Sequence, residues 1–177
     1  MIRGNKTALR AVEQRDLTQL MEWRNRPDFR KYFREYRELN SDIQNAWFRN
    51  TVLNDSHTVM FSIIDGETDT LLGCCGLCYI DWIHRNAELS LYIGYKDSYI
   101  DNAGYADDAC RVLLNYGFRD LNLHKIWAEI YQFDIKKEGL FRNFSFHRDA
   151  VLRDHHFHNG KWWDSTVWSI LEDEFVP

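Results

Sequence analysis

Ala87–Ala106, AELSLYIGYKDSYIDNAGYA, is the stretch whose reading decides the fold. Its first half reads as a strand, Ala87–Tyr95. A polar loop follows and ends in Gly104, where an amphipathic helix begins with Ala109, Val112, Leu113 and Tyr116 at helical spacing. A glycine between a strand and a helix N-terminus lets backbone N–H groups close on an anion, and the helix dipole favours negative charge there.

Downstream, Leu123–Gln132 reads as a strand and Ile135–Asn143 as a short helix. The chain closes with a hairpin, VLRDHHF and KWWDSTVWSIL, turning at His158-Asn159-Gly160. Upstream, Leu71–His84 and His57–Ile64 are strands joined by the turn Asp65-Gly66-Glu67. Two capping-box patterns, Asp16–Gln19 and Ser41–Gln44, open two helices. The first buries Leu17, Leu20 and Met21 and stops near Pro27; the second turns Ile43, Ala46 and Trp47 inward. Between them RPDFRKYFREYREL is too irregular to assign, and Thr7–Val12 is a short opening strand. The order β-α-α-β-β-β-α-β-α-β-β gives an α+β class: a mixed, mostly antiparallel sheet flanked by helices.

The 177 residues fit one domain, 1–177, without repeats or linkers, and the 45% apolar content excludes disorder. A net charge of −5 gives no electrostatic footprint for nucleic acid and suits a cationic partner. No apolar run approaches the roughly twenty residues that cross a bilayer. The opening MIRGNKTALRAV has no apolar signal-peptide core, so a cytoplasmic protein without membrane contact is expected. Cys75 and Cys78 form a CxxC, but three residues apart on a strand they face opposite sides and cannot share a metal. His156 and His158 share a strand face without a third ligand. No metal site is expected.

Taken together, several runs resemble the GCN5-related N-acetyltransferase (GNAT) superfamily, in the branch of ribosomal-protein N-terminal and amino-sugar acetyltransferases. They are Trp23-Arg24-Asn25, Leu72-Gly73 to Ile80-Asp81, Ala87-Glu88 with Leu91–Gly94, Leu121–Ile126, and Asn159-Gly160-Lys161 with Asp164. Their order and spacing carry the resemblance, which spans nearly the whole chain.

The resemblance implies an acetyl-CoA-dependent N-acetyltransferase. Its central strand parts from its neighbour, and Leu91, Tyr92 and Ile93 hold the pantetheine arm by their backbone. The diphosphate loop corresponds to Asp101-Asn102-Ala103-Gly104-Tyr105-Ala106, with Asp101 where a Gln or Arg is usual and Asn102 where a second glycine is usual. An aspartate there repels a diphosphate unless it points away or is neutralised. Asp134 takes the place of a pantetheine-binding asparagine. Phe141 replaces a tyrosine that protonates the leaving thiolate, and Ser145 a glycine. A phenyl ring donates no proton, so that role passes to a water, Ser145 or Tyr131, or stays vacant; such assistance is worth about 10²–10⁴-fold.

Glu88 is the candidate base, acting directly or through water, or else orienting the substrate ammonium. Direct attack in a ternary complex needs no nucleophilic side chain. Trp23, Arg24 and Asn25 frame the acceptor side, while Phe29, Tyr32, Phe33 and Tyr36 either line a sugar or peptide site or fill core. The acceptor is a protein N-terminus, an amino sugar or a small amine. A homodimer is compatible with the resemblance. The departures at Asp101, Asn102, Asp134 and Phe141 keep a second reading open, a non-catalytic acyl-CoA-binding or regulatory domain.

Overall fold

Eight strands form one sheet in a computed structural model that describes residues 1–177: β1 (Ile2–Arg3), β2 (Thr7–Ala11), β3 (Val59–Asp65), β4 (Leu71–Asp81), β5 (Asn86–Ile93), β6 (Lys125–Tyr131), β7 (His147–His158) and β8 (Lys161–Leu171). Their spatial order is β1-β2-β3-β4-β5-β6-β8-β7. The helices are α1 (Leu17–Asn25), α2 (Pro27–Arg30), α3 (Ser41–Trp47), α4 (Tyr105–Asn115) and α5 (Ile135–Asn143). β2, β3, β4 and β5 pair antiparallel by neighbour; short turns join β3 to β4 and β4 to β5, while α1, α2 and α3 lie between β2 and β3. The connection from β5 to β6 runs through α4, so this pair is parallel, the one such pair in the sheet.

The apolar stripe of α4, with Ala106, Ala109, Cys110, Val112 and Leu113 buried, packs against β2, β4 and β5. Trp168, Phe29 and Phe141 are the largest fully sealed side chains of the core. One carboxylate ties the N-terminal loop to α4. Asp108, itself buried, accepts from the N–H groups of Asn5 (3.0 Å), Lys6 (2.9 Å) and Thr7 (2.8 Å) and from the Thr7 hydroxyl (2.8 Å). Burial alone would raise this carboxyl; the four donors outweigh it and hold it below the usual carboxylate range.

The expected elements are present with shifted ends. β4 stops at Asp81 rather than His84, because the Asp81 carboxylate accepts from the N–H groups of Ile83 (3.0 Å) and His84 (2.9 Å) and folds the chain into a turn. β7 starts at His147, earlier than Val151, and bulges twice along β8. β1 is too short to show a period. Neither capping box forms as expected. Asp16 turns its carboxylate back to the Glu13 N–H (2.8 Å), Ser62 (2.7 Å) and Arg10 (3.0 Å). At α3 the cap is Asn40, whose Oδ1 accepts from the Ile43 N–H at 2.9 Å, and it is Gln44 that is buried while Ile43, Ala46 and Trp47 are half-buried. The cysteines are free; Cys75 is buried and Cys78 half-buried.

Replacing Asp108 by Ala leaves buried N–H groups without an acceptor and is expected to cost about 3 kcal/mol in urea unfolding. Because this carboxyl is depressed on folding, its stabilisation is complete above the unfolded value of about 3.9 and is lost as pH falls through the folded value. Wild type should therefore show an acid-sensitive stability component that Asp108→Ala lacks.

Candidate active site

β5 and β6 are joined only at Asn86–Glu88 opposite Lys125–Trp127. Beyond that point β5 stays with β4 as far as Ile93, and β6 stays with β8 as far as Tyr131, so the sheet opens between them. Backbone groups alternate sides along a strand. The Gly94 N–H goes to Leu72 on β4 (2.8 Å) and the Ile93 N–H goes the other way, to the Tyr99 carbonyl at 2.9 Å. By that alternation Tyr92 turns its backbone to β4, while Leu91 turns its N–H and C=O into the opening. Of the three residues expected to grip a pantetheine arm, Leu91 is the one with free backbone groups.

A cavity of about 230 Å³ fills the opening. Its walls come from β5 (Glu88, Leu89, Ser90), β6 (Glu129, Ile130, Tyr131), the segment after α2 (Tyr32, Phe33, Arg34) and the start of α5 (Asp134, Lys137). Glu88 is buried and does not stand alone. Arg34 grips both its oxygens, one at 2.9 Å and the other more closely, and reaches Glu129 on β6 at 3.5 Å. One guanidinium thus bridges carboxylates on the two parted strands. Arg34 was hidden in the segment without a period.

At the floor, Asp134 caps α5 by accepting from the Lys137 N–H (3.1 Å) and takes the Tyr99 hydroxyl at 2.9 Å. Burial pushes its carboxyl up. Lys137 is only 9% exposed; its ammonium lies 5.0 Å from the centre of the Tyr99 ring and makes no hydrogen bond or ion pair within the chain. Burial pulls this amine down. Sequence reading missed Lys137, yet a signal was present: it lies on the face of α5 that carries Leu140 and Phe141, an apolar stripe where lysine has no packing reason to be. Phe141 itself is sealed in the core, stacked on Phe146 at 4.8 Å, and lines no part of the cavity.

Of the residues expected on the acceptor side, Arg24 reaches the cavity, 5.0 Å from the centre of the Phe33 ring. Trp23 is buried beneath Gly94, where a Cβ would fall 1.9 Å from the indole; a glycine is required there for close approach. Asn25 clamps the returning chain, donating to the Leu39 carbonyl (2.7 Å) and accepting from its N–H (2.8 Å). Neither lines the cavity.

Gly104 caps α4 with φ of +88°, the left-handed conformation that favours glycine. Lys6 donates to the Ala103 carbonyl at 2.6 Å, and a Cβ on Gly104 would lie 3.1 Å from its ammonium. Asn102 and Ala103 are exposed beside it. Asp101 neither points away nor meets a cation. Its carboxylate accepts from the N–H groups of Tyr105 (3.0 Å) and Ala106 (2.7 Å), the first amides of α4.

An open parallel pair, a left-handed glycine at the helix it feeds and a lysine beside that glycine form a cradle for a long anionic ligand. The family model described as acetyltransferase (GNAT) domain matches residues 6–147. The chain belongs to this family. It is similar to the uncharacterized N-acetyltransferase p20 of Bacillus licheniformis, 29% identical over 97% of this chain and 96% of that one. It is similar too to the spermidine N(1)-acetyltransferase of Vibrio cholerae, 27% identical over 98% and 97%. The crystal structure of the Vibrio cholerae spermidine N-acetyltransferase in complex with CoA and spermine superposes with a TM-score of 0.87, at 26% identity over 96% of this chain and 97% of that chain. This acetyltransferase uses acetyl-CoA to acetylate an amine. No helix in it is long and apolar enough to cross a membrane.

The residues present fit CoA at two places: the free backbone of Leu91 in the opening, and the Gly104–Lys6 corner. Asp101 competes at the second, since it holds amides that an anion would take. Calorimetry with CoA should therefore show Asp101→Asn binding several-fold tighter than wild type, through loss of one negative charge at the helix N-terminus. Gly104→Val should bind at least tenfold weaker, because it strains the left-handed turn and crowds Lys6.

Proposed function

We propose that the acceptor is a small aliphatic amine bearing more than one positive charge, acetylated by direct attack within a ternary complex. The observation that carries this reading is the Arg34 guanidinium held by Glu88 and Glu129 across the open sheet. A cation of the chain itself rests between two carboxylates, with the aromatic faces of Tyr32, Phe33 and Tyr131 around the same cavity. Carboxylates and π faces are the groups that bind an alkylammonium. Arg34 is 48% exposed and can leave for solvent when a substrate cation arrives. Relatives named for spermidine support the same class.

An ammonium must lose a proton before its nitrogen can attack. On this reading Glu88 takes that proton, directly or through a water, while Glu129 holds the charge of a second amine. The Leu91 N–H, facing the opening, is the donor available to the thioester oxygen as charge builds there. Proximity in the cavity supplies much of the rate. Asp134, Tyr92, Ile93 and Phe141 act on this site by shaping it rather than by chemistry.

A thiol-release assay over spermidine, a simple diamine, glucosamine and a peptide N-terminus is the test. The polyamine is expected to exceed the sugar and the peptide at least tenfold in kcat/KM; a higher value for either of those overturns the acceptor class. Glu88→Gln should lower kcat by about 10²-fold while CoA affinity stays within a few-fold; unchanged turnover removes Glu88 from the mechanism.

Self-association of this chain is a further part of the proposal. The Vibrio cholerae neighbour was solved as a dodecamer, at 25% identity and a TM-score of 0.79. Here Trp82 and Ile83 stand exposed at the β4–β5 turn. Light scattering should give a mass of at least two chains, and Ile83→Glu should lower it.

A further inference from the structure

A thiolate leaving in acetyl transfer must end as a thiol, and the ring of Phe141 offers it no proton. We propose that the Lys137 ammonium is the group that protonates the departing sulfur. The geometry is specific. Lys137 stands one helical turn before Phe141 on the same face of α5, so it enters the opening where Phe141 does not. It shares the cavity with Leu89 and Ser90 of β5 and Ile130 of β6, the two strands that part. Its own backbone N–H is fixed by Asp134, which anchors the first turn of α5. Its ammonium has no acceptor within the chain, the situation of a donor whose partner arrives with the substrate.

The groups around it favour this use. Asp134 from the α5 cap and Glu88 from β5 stabilise the charged form, Arg34 disfavours it, Cys110 from α4 is a buried neutral thiol, and Tyr99 presents its ring. Burial dominates and makes the ammonium a stronger acid than an exposed lysine. Tyr131 lies in the same cavity, but burial pushes its hydroxyl up and makes it a weaker acid. Ser145 is exposed and lines no part of the cavity.

In the step, the acceptor nitrogen forms the C–N bond, the C–S bond breaks with its electron pair on sulfur, and Lys137 passes one proton to that sulfur. The nitrogen arrives as an ammonium and gives up two protons to the Glu88 side and on to solvent, one before attack and one after the C–N bond has formed. The neutral Lys137 amine regains one from solvent, so each cycle releases one net proton and the charge balances.

This inference rests on the acetyl transfer proposed above, and its test has one arm that needs no acceptor. In NMR of side-chain-labelled lysine, the Lys137 resonance, assigned by its loss in Lys137→Met, should shift on adding CoA and respond far less to desulfo-CoA. An equal response to both overturns the proposal, because the ammonium then does not face the sulfur. The second arm is the pH profile of kcat, taken with the fastest amine of the panel. Wild type is expected to show an alkaline fall in kcat; Lys137→Met is expected to lower kcat by about 10²-fold or more, with KM for acetyl-CoA and melting temperature little changed, and to abolish that fall. Lys137→Arg should not restore the rate, since a guanidinium does not release its proton. Rescue by arginine would leave charge alone as the role and overturn proton transfer. Loss of the alkaline fall in Tyr131→Phe but not in Lys137→Met would assign the proton to Tyr131 instead.

Discussion

The parting of β5 from β6 is the constraint on which the rest of the structure depends. It lies at the one place where a strand, α4 and a second strand make a parallel unit inside a sheet that is otherwise antiparallel. Each strand then has a stronger allegiance elsewhere, β5 to β4 and β6 to β8, and the two share only a short register. An open sheet exposes backbone groups that need partners. At the far end the Tyr99 carbonyl supplies one, for Ile93. In the middle Leu91 is left for a ligand, so an extended arm that pairs with it completes the ladder rather than merely lying against it.

The opening mixes apolar walls, Leu89, Ile130 and Phe33, with buried ionisable groups. Asp134 and Lys137 are both buried, and burial favours the neutral form of each: the carboxyl is pushed up and the amine pulled down. Tyr99 mediates, donating its hydroxyl to Asp134 and its ring face to Lys137. Charges this deep are costly unless satisfied. Their persistence at the one gap in the sheet, while the surrounding core is apolar, ties them to what the gap admits.

Much of this was legible in the sequence, for reasons that can be traced. Apolar runs bounded by turns exposed β3, β4 and β5, of which β4 and β5 are buried on both faces; helical spacing exposed α4, and Asn159-Gly160 exposed the last hairpin. Gly104 could be placed at the start of α4 from its position between strand and helix. The segment 26–39 could not, because its aromatics serve the cavity and α1 in turn rather than one face; Arg34 was lost with it. Trp23 and Asn25 were placed on the acceptor side by the resemblance of the Trp23-Arg24-Asn25 run; their contacts with Gly94 and Leu39 lie outside that run and could not be read from it. Lys137 was overlooked although it interrupts an apolar stripe. A charged residue on the core side of a short helix is informative precisely where packing would forbid it.

Both ends of the site hold a placeholder drawn from the chain itself. Asp101 occupies first-turn amides of α4 that would suit an anion. Arg34 occupies carboxylates that, on the proposed reading, receive a cation. Ligand binding at either end is then an exchange of one charge-assisted contact for another, not the filling of a vacant field. The net gain is a difference, so tight binding needs more than charge: a diphosphate brings further oxygens to Gly104 and Lys6, and a polyamine brings an alkyl chain to Tyr32 and Phe33. A ligand with the charge but without the remainder gains little over the placeholder. In this way selectivity arises from contacts the placeholders cannot make.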